Sequence, residues 1–357
     1  MSIAAFFPWQ QQLAAEWLGH RDRFAHAWLI HGLAGIGKRE FALAAATSLL
    51  CEAPVAGLAC GKCLACGWVS LGNHPDLKRI RPEAMAVEEG AEQESDDGAA
   101  PDPGATVEAG ASSKRAPSKD IRVEQIRALE PWFNNATHRG GWRVALIYPA
   151  EALNPISANS LLKVLEEPPP NTVFLLVADA PDRLLPTLLS RCRRLPMPTP
   201  ALAVAQAWLA EQGVASAPAW LAAAGGAPVL ARKQSLQQAS ACPDWLGGLV
   251  GSVVKGAPPD IGTLADTLAK LAAVAWLDPL QRLAVDLVLV ANGLPARYFP
   301  SMQAQLAVMA TPARARALAD LASWLNDQRR VAGHPLNAKL FAHVVLQRVV
   351  TTCMPIR

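Results

Sequence analysis

The stretch HGLAGIGKRE, His31 to Glu40, constrains the fold of this chain more than any other. Gly32, Gly37 and Lys38 satisfy the first seven places of the phosphate-loop pattern G-x-x-x-x-G-K-[ST], and Gly35 lies inside it. A short apolar run, His26–His31, precedes the loop, and an Ala- and Leu-rich run, Arg39–Leu50, follows it. Strand, glycine loop and helix form the context in which backbone N–H groups can cradle phosphate. The eighth place fails: Arg39 stands where a Ser or Thr hydroxyl holds magnesium. A working site also needs a carboxylate at the end of a neighbouring strand. The strand RVALIY, Arg143–Tyr148, ends in Tyr148-Pro149 instead, and Glu151 comes late in the turn. The two failures together favour a loop kept as a tight turn over a hydrolytic site, and leave passive nucleotide binding open.

The pattern beyond the loop alternates. Trp9–Leu18 reads as a helix, Leu77–Ile80 as a strand, and Ile121–Phe133 has helical periodicity. Ser157–Glu167 reads as a helix stopped by three prolines, Thr172–Ala178 as a buried strand, and Arg183–Ser190 as a short helix. Alternation up to about Leu195 predicts a mainly parallel sheet covered on both faces. From Pro196 onward the recurring runs are helical, and an all-α region is expected.

Composition enters at two points. The chain is 51% hydrophobic and 18% charged over 357 residues, enough for two or three buried cores. No apolar run is long enough for a membrane span and the start lacks signal-peptide features, so a soluble, cytoplasmic protein is expected. The net charge of +3 is uneven: Glu83–Ala111 carries nine acids and no base, and without those nine the charge is +12. A body that basic suits work near nucleic acid, although solvated surface charge gives the same number. Residues 83–119 lack aromatics and are rich in Ala, Gly, Pro and acids, which predicts a disordered acidic insertion.

Four of the seven cysteines cluster: Cys51, Cys60, Cys63 and Cys66. Successive C-x-x-C turns can place thiolates about 2.3 Å from one tetrahedral zinc, and four sulfurs close its shell, which suits a structural site. An iron–sulfur cluster and unmetallated core cysteines are the rival readings. Arg191, in the run LLSRCRRL, reads alone as a surface ion-pair former; after the last strand of an ATPase-like core it can reach a neighbour's nucleotide.

The series HAWLIHGLAGIGK, the four cysteines, His74-Pro75-Asp76, NSLLKVLEEPP at Asn159–Pro169 and Ser190-Arg191-Cys192 resembles the delta-prime family of bacterial DNA polymerase III clamp-loader subunits, which are AAA+ proteins. The resemblance is strong over residues 1–195. It implies an α/β fold: a RecA-like parallel-sheet core (1–195) with a zinc module (51–66), a small helical lid (196–241) and an all-α collar (242–357). It implies a subunit that does not hydrolyse ATP, sits with gamma/tau ATPase and delta subunits in a hetero-pentamer, and helps to load the sliding clamp onto primed DNA. Arg191 takes the family's role of completing the neighbouring subunit's ATP site. Zinc is the implied metal, bound by Cys51, Cys60, Cys63 and Cys66. Gly32, Gly35, Gly37 and Lys38 form a degenerate loop, so ATP hydrolysis by this chain is not expected. In the lid, Pro228 stands at the place where active relatives carry a phosphate-sensing arginine, and Arg232 follows one turn on. The chain is then a subunit of a polymerase holoenzyme without catalysis of its own. The alternatives are an active motor subunit of the same loader and a zinc-dependent nucleic-acid-binding module.

Overall fold

The computed structural model describes residues 5–20, 24–90, 117–334 and 336–354. It divides into two compact units, Met1–Thr199 and Pro200–Arg357. The boundary expected after residue 195 would have cut the last strand of the sheet.

The first unit holds five strands: β1 Ala27–His31, β2 Leu77–Ile80, β3 Arg143–Ile147, β4 Thr172–Ala178 and β5 Arg193–Pro196. They form one parallel sheet in the order β2-β3-β4-β1-β5. Its helices are α1 Gln11–Leu18, α2 Lys38–Leu50, α3 Leu64–Leu71, α4 Glu83–Glu88, α5 Val123–Arg127, α6 Glu130–Asn134, α7 Pro155–Glu166 and α8 Pro186–Arg191. Every residue of β3 and β4 is buried, as a strand covered on both faces must be. Alternate residues of β1 serve opposite layers. Leu29 joins one core with Leu161 and Leu165 of α7. Trp28 packs edge-on against Trp17 of α1, with ring centroids 5.2 Å apart.

β5 carries no strand pattern in the sequence. Only Leu195 of its four residues is buried, because it is an edge strand, and Arg193 lies over the Trp28 ring instead of in a core. The expectation of disorder from Glu83 also needs correction. Glu83–Glu88 form α4, and Ala84 donates to the Ser118 carbonyl while Ser118 N–H donates to Glu83 Oε2. The two ends of the insertion are therefore stitched together; residues 91–116 lie outside the described residues.

The second unit is helical: α9 Leu202–Glu211, α10 Ala217–Ala223, α11 Pro228–Gln237, α12 Asp244–Val254, α13 Ile261–Leu268, α14 Ala273–Ala291, α15 Gln303–Met309, α16 Ala315–Val331 and α17 Ala338–Cys353. Two departures from the sequence pattern share one cause. α12 forms although it holds three glycines, and α14 continues through Pro279. In each, a buried stripe decides: Leu246, Leu249, Val250 and Val253 in α12, and Trp276, Leu280, Leu283 and Leu287 in α14. Burying four large side chains gains roughly 1.5–3 kcal/mol each, which offsets glycine or proline propensity costs of about 1–3 kcal/mol.

One buried carboxylate organises this unit. Asp286 on α14 is fully enclosed and accepts hydrogen bonds from the backbone N–H groups of Arg297, Tyr298 and Phe299, at 2.7–3.1 Å. Asp286→Ala leaves those donors without an acceptor. We expect it to cost roughly 3 kcal/mol of stability, read as a lower urea midpoint at unchanged slope.

Candidate functional site

The glycine loop sits at the carboxyl end of β1, between the ends of β4 and β5. Gly32 (φ +151°) runs so close to β5 that a Cβ there would lie 2.6 Å from the Met197 carbonyl oxygen. Gly37 (φ +86°) lies beneath the Phe7 ring, where a Cβ would meet ring carbons at 2.5 Å. The short turn Pro8–Gln10 holds the loop from that side. Gln10 is fully buried and donates to the carbonyls of Ile36 and Gly37, and Trp9 donates its indole N–H to Ile36. The loop is thus fixed by this chain's own packing.

Lys38 is spent inside the loop. Its ammonium donates to the carbonyls of Gly32 (2.8 Å) and Leu33 (2.6 Å) and pairs with Asp179 at 2.5 Å. Asp179 follows β4, the true neighbour of β1; the strand read as that neighbour, β3, lies one place further out. Asp179 was legible as an acid at a strand end, but only the sheet order sets it beside Lys38.

The two positions that break the nucleotide pattern meet on one carboxylate. Arg39 pairs with Glu40 (2.7 Å) and with Glu89 (2.9 Å). The Tyr148 hydroxyl, beyond the end of β3, donates to Glu89 Oε2 at 2.8 Å, and Arg81 pairs with the same oxygen at 2.9 Å. Burial and the Glu89 carboxylate push the Tyr148 phenol well above its usual range. Arg39, Glu40, Arg79, Glu88, Glu89 and Tyr148 line a cavity of about 390 Å³. Where the pattern calls for magnesium between a hydroxyl and a carboxylate, this chain places a guanidinium, a phenol and a carboxylate already bonded to one another. Glu89 lies at the head of the insertion, and no motif marks it. Glu151, the acid weighed for the strand-end role, instead accepts the Ala180 N–H at 2.5 Å.

The four cysteines converge. One sulfur from each of Cys51, Cys60, Cys63 and Cys66 lies within 4.8 Å of the others, and the Cys51–Cys63 sulfurs are 3.9 Å apart. A zinc tetrahedron with 2.3 Å bonds needs sulfurs about 3.8 Å apart, so the set fits a closed four-sulfur shell. Backbone N–H groups point at the sulfurs: Cys60 N–H at Cys51 (3.2 Å), Lys62 N–H at Cys60 (3.5 Å) and Cys66 N–H at Cys63 (3.5 Å). The N–H groups of Lys62 and Cys63 pull the Cys60 thiol down to about 6, while burial pushes Cys66 up to about 12. A cation would favour all four thiolates. Beside the module, His74 and Asp76 are structural: Asp76 N–H donates to His74 Nδ1, and the Asp76 carboxylate holds the His138 N–H.

Arg191 ends α8, apart from the loop residues in the chain's hydrogen-bond network. Its guanidinium donates to the Thr187 carbonyl at 3.0 Å and pairs with Glu166, the last residue of α7. In the second unit Pro228 opens α11, and the exposed Arg232 lies 6.0 Å from the Trp208 ring centroid.

A five-stranded parallel sheet with a glycine loop after β1, followed by an all-helical second unit, is the architecture of an AAA+ protein. The family model described as DNA polymerase III, delta subunit, matches residues 11–201, more than half of the chain. The chain belongs to that family. It is 39% identical over 235 residues to DNA polymerase III subunit delta' of Pseudomonas aeruginosa, covering 65% of this chain and 62% of that protein. It is 29% identical over 211 residues to the delta' subunit of Escherichia coli, covering 58% and 53%. It is also 32% identical over 170 residues to the tau subunit of Escherichia coli, covering 48% of this chain and 21% of tau. The matched span is less than two thirds of each of these relatives. Among the described residues no helix is long and apolar enough to cross a membrane.

Proposed function

We propose that this chain is a non-hydrolysing subunit of the DNA polymerase III clamp loader in DNA replication. Residues 1–199 act as the AAA+ core, 200–241 as the lid and 242–357 as the collar through which gamma/tau and delta subunits join it in a hetero-pentamer. The loaded substrate is the sliding clamp on primed DNA. Arg191 reaches the ATP of the neighbouring ATPase subunit, and the cysteine module is a structural zinc site in a cytoplasmic protein.

The observation that carries the non-hydrolysing part is the convergence of Arg39 and Tyr148 on Glu89. Hydrolysis needs magnesium bridging the outer phosphates, with a hydroxyl and a carboxylate as its protein ligands. Here Arg39 fills the hydroxyl position, Tyr148 follows β3, and the carboxylates Glu89 and Asp179 are committed to Arg39, Tyr148 and Lys38. The Lys38 ammonium, which would otherwise hold a phosphate, is neutralised by Asp179 and two loop carbonyls. An active motor subunit would need all of these groups rearranged. A stand-alone zinc module gives no reason for the pairing of Arg191 with Glu166.

The purified chain should show no ATP hydrolysis above background, while the mixture with gamma/tau, delta, clamp and primed DNA should turn ATP over. Lys38→Ala should leave that turnover within about twofold. It should cost roughly 1 kcal/mol of stability, because two loop carbonyls and the half-exposed Asp179 lose their partner. Hydrolysis by the chain alone that disappears in Lys38→Ala would overturn the proposal.

A further inference from the structure

We infer that Glu166 is a positioning residue for Arg191, an inference that rests on the in-trans role proposed above. Glu166 is the last residue of α7, and Pro168 prevents the helix from continuing. A carboxylate at a helix C-terminus faces the negative end of the macrodipole and is disfavoured there unless a cation offsets it. Arg191 is that cation, and it belongs to a different helix, 25 residues further along the chain.

The geometry holds the arginine without using it up. One terminal nitrogen of Arg191 donates to the Thr187 carbonyl one turn back in α8, and the other meets Glu166 Oε1. An arginine carries five N–H donors in a planar fork, so donors remain for a phosphoryl group. The Arg191 side chain is 34% exposed and that of Glu166 is 50% exposed, so the pair stands at the surface. A free surface arginine samples many rotamers, and ordering it on binding costs side-chain entropy. The two anchors set the direction of the guanidinium before a neighbour's nucleotide arrives. Glu166 thereby acts through Arg191 and touches no reacting atom. The Glu-Glu-Pro end of α7 and the Ser-Arg-Cys end of α8, separate features in the sequence, become one device.

The test uses the assembled loader with clamp and primed DNA, and reads ATP turnover as kcat and KM. Glu166→Ala should lower kcat about fivefold with KM for ATP within twofold. Glu166→Gln keeps an acceptor oxygen and should retain at least half of the wild-type kcat. The free Glu166→Ala chain should melt at the wild-type temperature. On an Arg191→Ala background, Glu166→Ala should add nothing, because residues acting as a unit are not additive. If Arg191→Ala lowers turnover while Glu166→Ala leaves kcat unchanged or raises it, the positioning role fails and the in-trans role stands. If Arg191→Ala itself has no effect, the in-trans role fails and the inference falls with it.

Discussion

Arg191→Ala is expected to leave the free chain folded and to lower ATP turnover by the assembled loader roughly tenfold or more. The folded state has little invested in this side chain. Its helix ends at Arg191, its partner Glu166 is half exposed, and an exposed ion pair contributes about 0–1 kcal/mol. Catalysis has more to lose. An arginine supplied in trans stabilises charge on the transferring phosphoryl group, and such residues are worth roughly 10³–10⁵ at the site they serve. Other sites of a ring keep their own arginines, which limits the loss seen in total turnover. A loader cycle that ends in one release event is nonetheless held back by its slowest site. Arg191→Lys should recover little, since a lysine supplies a point charge without the planar fork. The measurement is steady-state turnover with clamp and primed DNA beside a thermal melt of the free chain. Turnover within twofold of wild type at an unchanged melt would remove Arg191 from the mechanism.

Loss of the metal proposed for the four cysteines is the second large effect expected. One zinc per chain is expected by elemental analysis, without the visible absorbance of an iron–sulfur cluster. Cys51 and Cys66 are buried, and Cys63 caps α3 where the backbone from α2 enters it, its sulfur accepting the Cys66 N–H. Ala65 and Val69 of α3 are buried, whereas Leu64 and Leu71 are exposed, so a short helix contributes only a narrow apolar stripe. Such a segment is held by its metal more than by burial. Chelation, or Cys66→Ser, should lower the melting temperature of the chain by roughly 10 °C, corresponding to about 3 kcal/mol or more for a unit of this size. An equal melting temperature with and without chelator would rule out a structural metal. Because four sulfurs close the shell, metal loss should act on stability and assembly and remove no reaction centre.

Much of the first unit could be read in the sequence for a simple reason. Buried parallel strands are continuous apolar runs, so TVFLLVA matches β4 residue for residue. Prolines fixed the end of α7. Elements escaped where burial is narrow or a breaker is overruled. β5 buries one residue of four, and the stripes of α12 and α14 outweigh three glycines and Pro279. Among site residues, the cysteines were legible because close spacing alone forces four sulfurs together. Glu89 was not: it lies 50 residues from Arg39 and 59 from Tyr148, and its composition matches the acidic stretch around it.

The sequence by itself determined that a glycine loop follows a buried strand, that four thiols share a short segment, and that Arg39 and Tyr148-Pro149 stand where the pattern looks for a hydroxyl and a carboxylate. These are local facts, settled within a few residues by spacing and side-chain type. Only the tertiary structure decided what replaced them. Parallel pairing set Asp179 beside Lys38, the head of the insertion brought Glu89 to Arg39 and Tyr148, and the packing of α7 with α8 gave Glu166 to Arg191. Each is a charge paired across tens of residues, and chain order cannot fix such a pairing. It arises when apolar strands and helices bury one another and bring polar residues that are distant in sequence together.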